Sequence, residues 1–185
     1  VAVCLGVVEP YPLARRMAGE ICRRVHRGQD DATIDHALKL RARTMMVGGP
    51  TAEIDTAVAP ALGSAEAPVT IVEYACVRCP FCSKLTPAIA EAVRSGALQG
   101  KARLVFKLFP IKGHDGSTES GLAAMAAHLQ GRFWPFLELA YARYDSFSVD
   151  ALPGWAAEAG CDTGEQARLV AEASTRDALV QSKRE

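Results

Sequence analysis

Apolar residues recur at Leu13, Met17, Ile21 and Val25 and stop at Gly28, which is a helical period closed by a helix-ending residue. Asp30 or Asp31 can cap a second helix that carries Ile34, Ala37, Leu38, Arg41 and Met45 and ends at Gly48-Gly49-Pro50. Residues 1–49 are therefore expected to form a small helical hairpin. The period then fades. Residues 50–66 are rich in alanine and broken by Pro50, Pro60 and Gly63, the signature of a linker. From Val69 to Tyr74 the pattern becomes a β-rich run. Helical spacing returns from Pro80 at Cys82, Leu85, Ile89 and Val93 and stops near Gly96. Leu104, Val105, Phe106, Leu108 and Phe109 predict a second strand, ended by Pro110. Strand, helix, strand is a βαβ unit with a parallel sheet.

Helices fill the remainder. Ser117 can cap one with Leu122, Met125, Ala126 and Leu129, ended by Gly131, and Phe133, Phe136, Leu137 and Ala140 begin another. Ser148 can cap a third with Leu152, Trp155 and Ala159, before Gly160. A last one is expected from about Thr163 through Leu169, Val170 and Ala173 towards Leu179. Trp134 and Trp155 are expected in a core that these helices share.

Composition changes this picture little. With 185 residues and 49% hydrophobic positions, one domain with a small appendage can bury a core. Lysine plus arginine balances aspartate plus glutamate at 21 each, so no net charge attracts a polyanion and no nucleic-acid partner is expected. No apolar run approaches the roughly 18 residues that cross a bilayer. The opening V-A-V-C-L-G-V-V is short and lacks a basic flank and an initiator Met. It reads as a start left by processing or cloning, with a buried strand or helix start as the alternative.

Chemistry enters with the cysteines. Three of the six fall within seven positions, in E-Y-A-C-V-R-C-P-F-C, and such clustering points to chemistry more than to stapling. Cys79 and Cys82 form a C-x-x-C at the junction of a strand and a helix. Cys79 then sits at the helix N-cap or just before it, where unpaired amides and the helix dipole stabilise a thiolate. Pro80 suits the first turn because its missing N–H has no partner there anyway. Cys82, one turn further in, is the natural resolving thiol for a mixed disulfide at Cys79.

The stretch V-T-I-V-E-Y-A-C-V-R-C-P-F-C resembles the active-site region of the DsbA-like thiol–disulfide oxidoreductases of the thioredoxin superfamily. Cys79-Pro80-x-Cys82 follows the family's C-P-x-C, and Glu73 stands six residues earlier, where the family carries a buried acid. Pro87 matches the proline that kinks the active-site helix. L-V-F-K-L-F-P-I-K-G-H is similar to the family's second strand and following loop. G-R-F-W-P-F-L-E-L-A and A-A-E-A-G-C-D are similar to its inserted helical domain, so the resemblance covers about residues 66–180. It implies an α/β, thioredoxin-like fold with a helical insert over residues 67–185. It also implies a cofactor-free dithiol that oxidises, reduces or isomerises disulfides of exported proteins, in the periplasm or another extracytoplasmic space. The implied partners are substrate proteins and a membrane redox protein that recycles the dithiol, and the hairpin is a candidate for docking or homodimer formation. Glu73 is implied to accept or relay a proton when Cys82 attacks. Strongly oxidising members carry a histidine where Phe81 stands. A phenylalanine cannot donate to the sulfur, so a higher Cys79 pKa and a less oxidising couple are implied.

Cys76 departs from the pattern. It reads as a semi-buried loop residue, as a regulatory thiol for Cys79 or a distant cysteine, or as a metal ligand. C-x2-C-x2-C opens bacterial ferredoxin clusters, but here the fourth cysteine is missing and Cys-Pro comes one ligand early. Zinc would need a fourth ligand from Cys4, Cys22, Cys161 or a histidine, and no metal is expected. Cys161 and Cys22 read as core residues, and Cys4 is open. His114 reads as a loop residue that could border the site, and His26, His36 and His128 as ordinary helix residues.

The family's substrate loop, built on a cis-proline, and the β-hairpin and last helix that complete the sheet find no match before Glu185. Pro110 and Pro153 lie in the wrong places. The chain is thus expected to be a piece of a longer protein, inactive by itself, or to be completed by exchange with a second copy. The rivals are a redox-inactive interaction or chaperone module on the same scaffold, a metal-binding cysteine cluster, and a glutathione-dependent enzyme, against which the second cysteine argues.

Overall fold

The computed structural model describes residues 12–45 and 53–184. The opening apolar stretch with Cys4 and the expected Gly48-Gly49-Pro50 terminator lie outside the described residues. The chain divides into two compact units, residues 1–53 and 54–185.

The first unit contains both helices of the predicted hairpin, α1 (Pro12–His26) and α2 (Asp31–Met45). Gly28 leaves α1 with φ 71°, a conformation that glycine adopts without a Cβ penalty. Asp30 caps α2, its Oδ1 accepting the Thr33 amide at 2.7 Å. Ile34 is buried as expected, whereas Val25 is half exposed.

The second unit is built on a three-stranded sheet of β1 (Ala61–Leu62), β2 (Val69–Ala75) and β3 (Ala102–Leu108), in the order β1-β3-β2. β2 and β3 run parallel in the register Val69↔Ala102 to Ala75↔Leu108, joined through helix α3 (Cys82–Arg94), so the predicted βαβ unit is present. β3 is central and covered on both faces. That is why its sequence reads as an unbroken apolar run, with Leu104, Val105 and Phe106 fully buried. The expected linker over residues 50–66 is shorter than its composition suggests. Ala61–Leu62 pairs antiparallel with β3, and the Trp134 indole N–H fastens it by donating to the Ala61 carbonyl at 2.9 Å. Trp134 therefore bridges sheet and helices, edge-on to Phe106 and Phe133, while Trp155 lies in the helical core beside Phe147.

The insert consists of α4 (Ser117–Leu129), α5 (Phe133–Ala142), α6 (Leu152–Glu158), α7 (Thr163–Ala171) and α8 (Ala173–Arg184). Helix α4 is buried almost all round, from Ser120 to Ala127. Its cap is Gly116, in the left-handed region, and not Ser117, which is the first helical residue and turns its hydroxyl inward. Ser148 does cap, accepting the Ala151 amide, but it starts a short 3-10 turn that leads into α6. The single helix expected from Thr163 to Leu179 is two, broken where Glu172 takes extended backbone (ψ 140°). In an unbroken helix Leu169 and Thr175 would point about 120° apart. The break lets both be buried, with Leu179 packed close to Gly121 of α4.

Candidate functional site

β2 ends at Ala75, and the chain turns at once. The Cys79 amide donates to the Cys76 carbonyl at 3.1 Å, and the Ser83 amide donates to the Cys79 carbonyl at 3.0 Å. Helical hydrogen bonding thus begins at Cys79, three residues before α3 settles into regular form at Cys82, but the N-cap is Phe81, so Cys79 lies just ahead of the cap. Pro80 and Phe81 form the first turn, and the Phe81 ring projects outward, 81% exposed. Pro87 lies inside α3 on its exposed side, where its missing N–H leaves the Ser83 carbonyl without the usual helical donor. The buried face of α3 is Thr86, Ala90 and Val93. Leu85, expected inward, is exposed.

The two thiols are free, near each other, and driven in opposite directions. Burial disfavours a Cys79 thiolate, but hydrogen bonds from the Cys82 amide, the Cys82 thiol and the Phe81 amide outweigh it. The Glu73 charge opposes only weakly, and the Cys79 pKa falls below that of an ordinary cysteine. Cys82 is pushed up to about 11, by burial first and then by the Cys79 sulfur and the Glu73 charge, with the Cys76 amide pulling the other way. Phe81 therefore serves Cys79 through its backbone N–H while its ring offers the sulfur nothing.

Glu73 projects from β2 beneath this pair. Its Oε1 accepts the Thr86 hydroxyl at 2.7 Å, and its buried Oε2 has no hydrogen-bond partner among the described residues. Burial raises the Glu73 pKa against the effect of the Thr86 bond. Tyr141, from α5, closes the space. Its hydroxyl lies against Thr86 and donates to the Cys76 carbonyl at 3.4 Å, and burial pushes its pKa well above the usual phenol value.

Cys76 is sealed, 1% exposed, with its sulfur against the Ser117 hydroxyl at 3.1 Å and receiving the Arg78 amide at 3.3 Å. Ser117 also accepts the Ile111 amide at 2.9 Å, which fixes its hydroxyl against Cys76. Arg78 clamps the loop to the insert. Its guanidinium lies over Tyr144 and Phe147 at 4.5 and 3.9 Å from the ring centroids and donates to the carbonyls of Asp115 and Tyr144. Gly116, with φ 65°, leaves room for this arrangement, since a Cβ there would come within 2.4 Å of the Phe147 ring. Among the described residues no group of three histidine, cysteine, aspartate or glutamate side chains is arranged to hold a metal ion.

Cys161 is buried in the core cluster against which Cys82 packs, and Cys22 is half-buried on α1. His128 is bonded to the Val58 carbonyl, and His114 presents a buried Nδ1 without a partner among the described residues. Sequence reasoning missed Thr86, Tyr141, Arg78 and Ser117. Thr86 had a signal, four residues after Cys82 and so on the same helix face.

A dithiol at a strand-to-helix turn, beside a small sheet and a helical insert, is the arrangement of a thioredoxin-like fold. Residues 55–185 match the family model described as thioredoxin, and the chain belongs to the thioredoxin family. A thioredoxin-like oxidoreductase from Silicibacter pomeroyi DSS-3 is 28% identical, with a TM-score of 0.57 over 68% of this chain and 70% of that one. The thiol–disulfide exchange protein alpha-DsbA2 from Wolbachia pipientis superposes with a TM-score of 0.60 at 18% identity, covering 69% and 68% of the two chains. The Na(+)/H(+) antiporter NhaA 1 of Mycolicibacterium gilvum is 37% identical over 101 residues, which are 54% of this chain and 16% of the antiporter. No helix among the described residues is long and apolar enough to cross a membrane.

Proposed function

We propose that the protein exchanges disulfides with exported proteins through the Cys79–Cys82 pair. The observation that carries this is the meeting of two free thiols at the strand-to-helix turn, where Cys79 receives hydrogen bonds from the Cys82 amide, the Cys82 thiol and the Phe81 amide. In the reductive direction the Cys79 thiolate attacks a substrate disulfide, forming a mixed disulfide and releasing one substrate thiolate, which takes a proton from solvent. Cys82 gives its proton to Glu73, and its thiolate attacks the Cys79 sulfur. The second substrate thiolate leaves and takes up a proton. Two electrons pass to the substrate, and the pair is left as a disulfide. Run backwards, the same steps oxidise a substrate dithiol.

An extracytoplasmic setting and a recycling redox partner are part of this reading, and a structural neighbour that is a periplasmic thioredoxin-like protein from Salmonella enterica serovar Typhimurium supports the setting. The antiporter relatives support a place at the membrane, since their matched segment is a small share of a much longer transport protein. Cys76, held by Ser117 and Arg78, keeps the turn in shape and takes no electrons.

Equilibration of the intact protein in glutathione buffers, followed by quenching and peptide mapping, tests the proposal. A single intramolecular disulfide between Cys79 and Cys82 is expected to form and break reversibly. A pair that stays reduced throughout would favour the redox-inactive scaffold, and a disulfide to Cys76 would favour the regulatory reading of that thiol.

A further inference from the structure

We propose that Thr86 is a positioning residue that holds Glu73 as the proton acceptor for Cys82, an inference that rests on the dithiol reading above. Thr86 lies one turn after Cys82 on α3 and is 2% exposed. A threonine inside a helix ordinarily returns its hydroxyl to the carbonyl four residues back, here that of Cys82. Instead the hydroxyl crosses to β2 and donates to Glu73 Oε1 at 2.7 Å. One carboxylate oxygen is thereby fixed and the other, Oε2, is left buried without a donor among the described residues. A buried carboxylate oxygen in that condition is costly until it takes a proton, and Cys82 is the thiol nearby that must lose one.

The groups that face Glu73 are Cys79 and Cys82 from the loop and α3, and Tyr141 from α5. On the neighbouring strand Lys107 pairs in register with Tyr74, not Glu73, and its ammonium donates to the Asp55 carbonyl. The Thr86 bond draws Glu73 towards its ionised form against burial.

The test is the pH dependence of the resolving step, followed as decay of a mixed disulfide between Cys79 and a small aromatic thiol in wild type, Thr86→Val and Thr86→Ser. Thr86→Val removes the donor at constant shape, which raises the Glu73 pKa. The acid limb of the profile is expected to move up by about one pH unit, making resolution about tenfold slower below the midpoint. Thr86→Ser keeps the hydroxyl and is expected to restore the wild-type limb. Cys79 alkylation should be nearly unchanged in both. If Thr86→Val does not fold, Thr86→Ala takes its place with the same expectation. A folded variant without the hydroxyl that keeps the wild-type limb overturns the inference, as does a serine variant shifted as far as the valine one. Loss of the dithiol reading itself would appear separately, as turnover that survives removal of Cys79.

Discussion

Cys79→Ser is expected to lower insulin-disulfide reduction by the intact protein, with dithiothreitol as reductant, by at least about a hundredfold. Serine keeps the backbone amides of Phe81 and Cys82 but puts a hydroxyl where the thiolate forms. The surviving thiol cannot take over. Burial pushes the Cys82 pKa above the ordinary value, so it is a poor nucleophile at neutral pH. Cys76 is sealed against Ser117 and is no substitute. Turnover that persists in this variant would remove the basis for the whole reading.

Glu73→Gln is expected to leave the first attack intact and to slow the second by about 10²–10⁴-fold, the usual worth of a positioned general base. Two effects oppose each other in this variant. Glutamine removes a negative charge, which eases ionisation of both cysteines, since the Glu73 carboxylate raises the pKa of each. It also removes the acceptor for the Cys82 proton. The charge is the smallest of the influences on Cys82, well behind burial, so the loss of the base should dominate. Stopped-flow of a single turnover separates the steps. Fast formation and slow decay of the mixed disulfide are expected, whereas equal slowing of both would mean that glutamine disturbs the loop as a whole.

The site was legible in the sequence where its determinants are local. Cys79, Pro80 and Cys82 sit at a change of period from strand to helix, and that change is visible in Val69 to Val93 alone. Tyr141, Ser117 and Arg78's partners Tyr144 and Phe147 were not legible, because they belong to the insert and reach the loop only through tertiary packing. Thr86 was hidden for a different reason. Its burial depends on an acceptor thirteen residues earlier on another element, while the more apolar Leu85 beside it drew the helix face one position astray.

The fold followed the same division. β3 and α4 announce themselves by long apolar runs. β1 is two residues in a stretch rich in alanine, proline and glycine, and only the edge of β3 and the Trp134 indole make it a strand. The break at Glu172 carries no glycine or proline; competing demands for burial on either side of it turn the chain there.

Site-resolved alkylation separates the two thiols most directly. Reduced protein is pulsed with iodoacetamide across pH and each cysteine is quantified by peptide mass spectrometry, because rate follows the thiolate fraction. Cys79 is predicted to react fast, with a midpoint below that of an ordinary cysteine, and Cys82 to react slowly until the pH approaches 11. Two cysteines that titrate together at the ordinary value would contradict the division of labour on which the proposed chemistry rests.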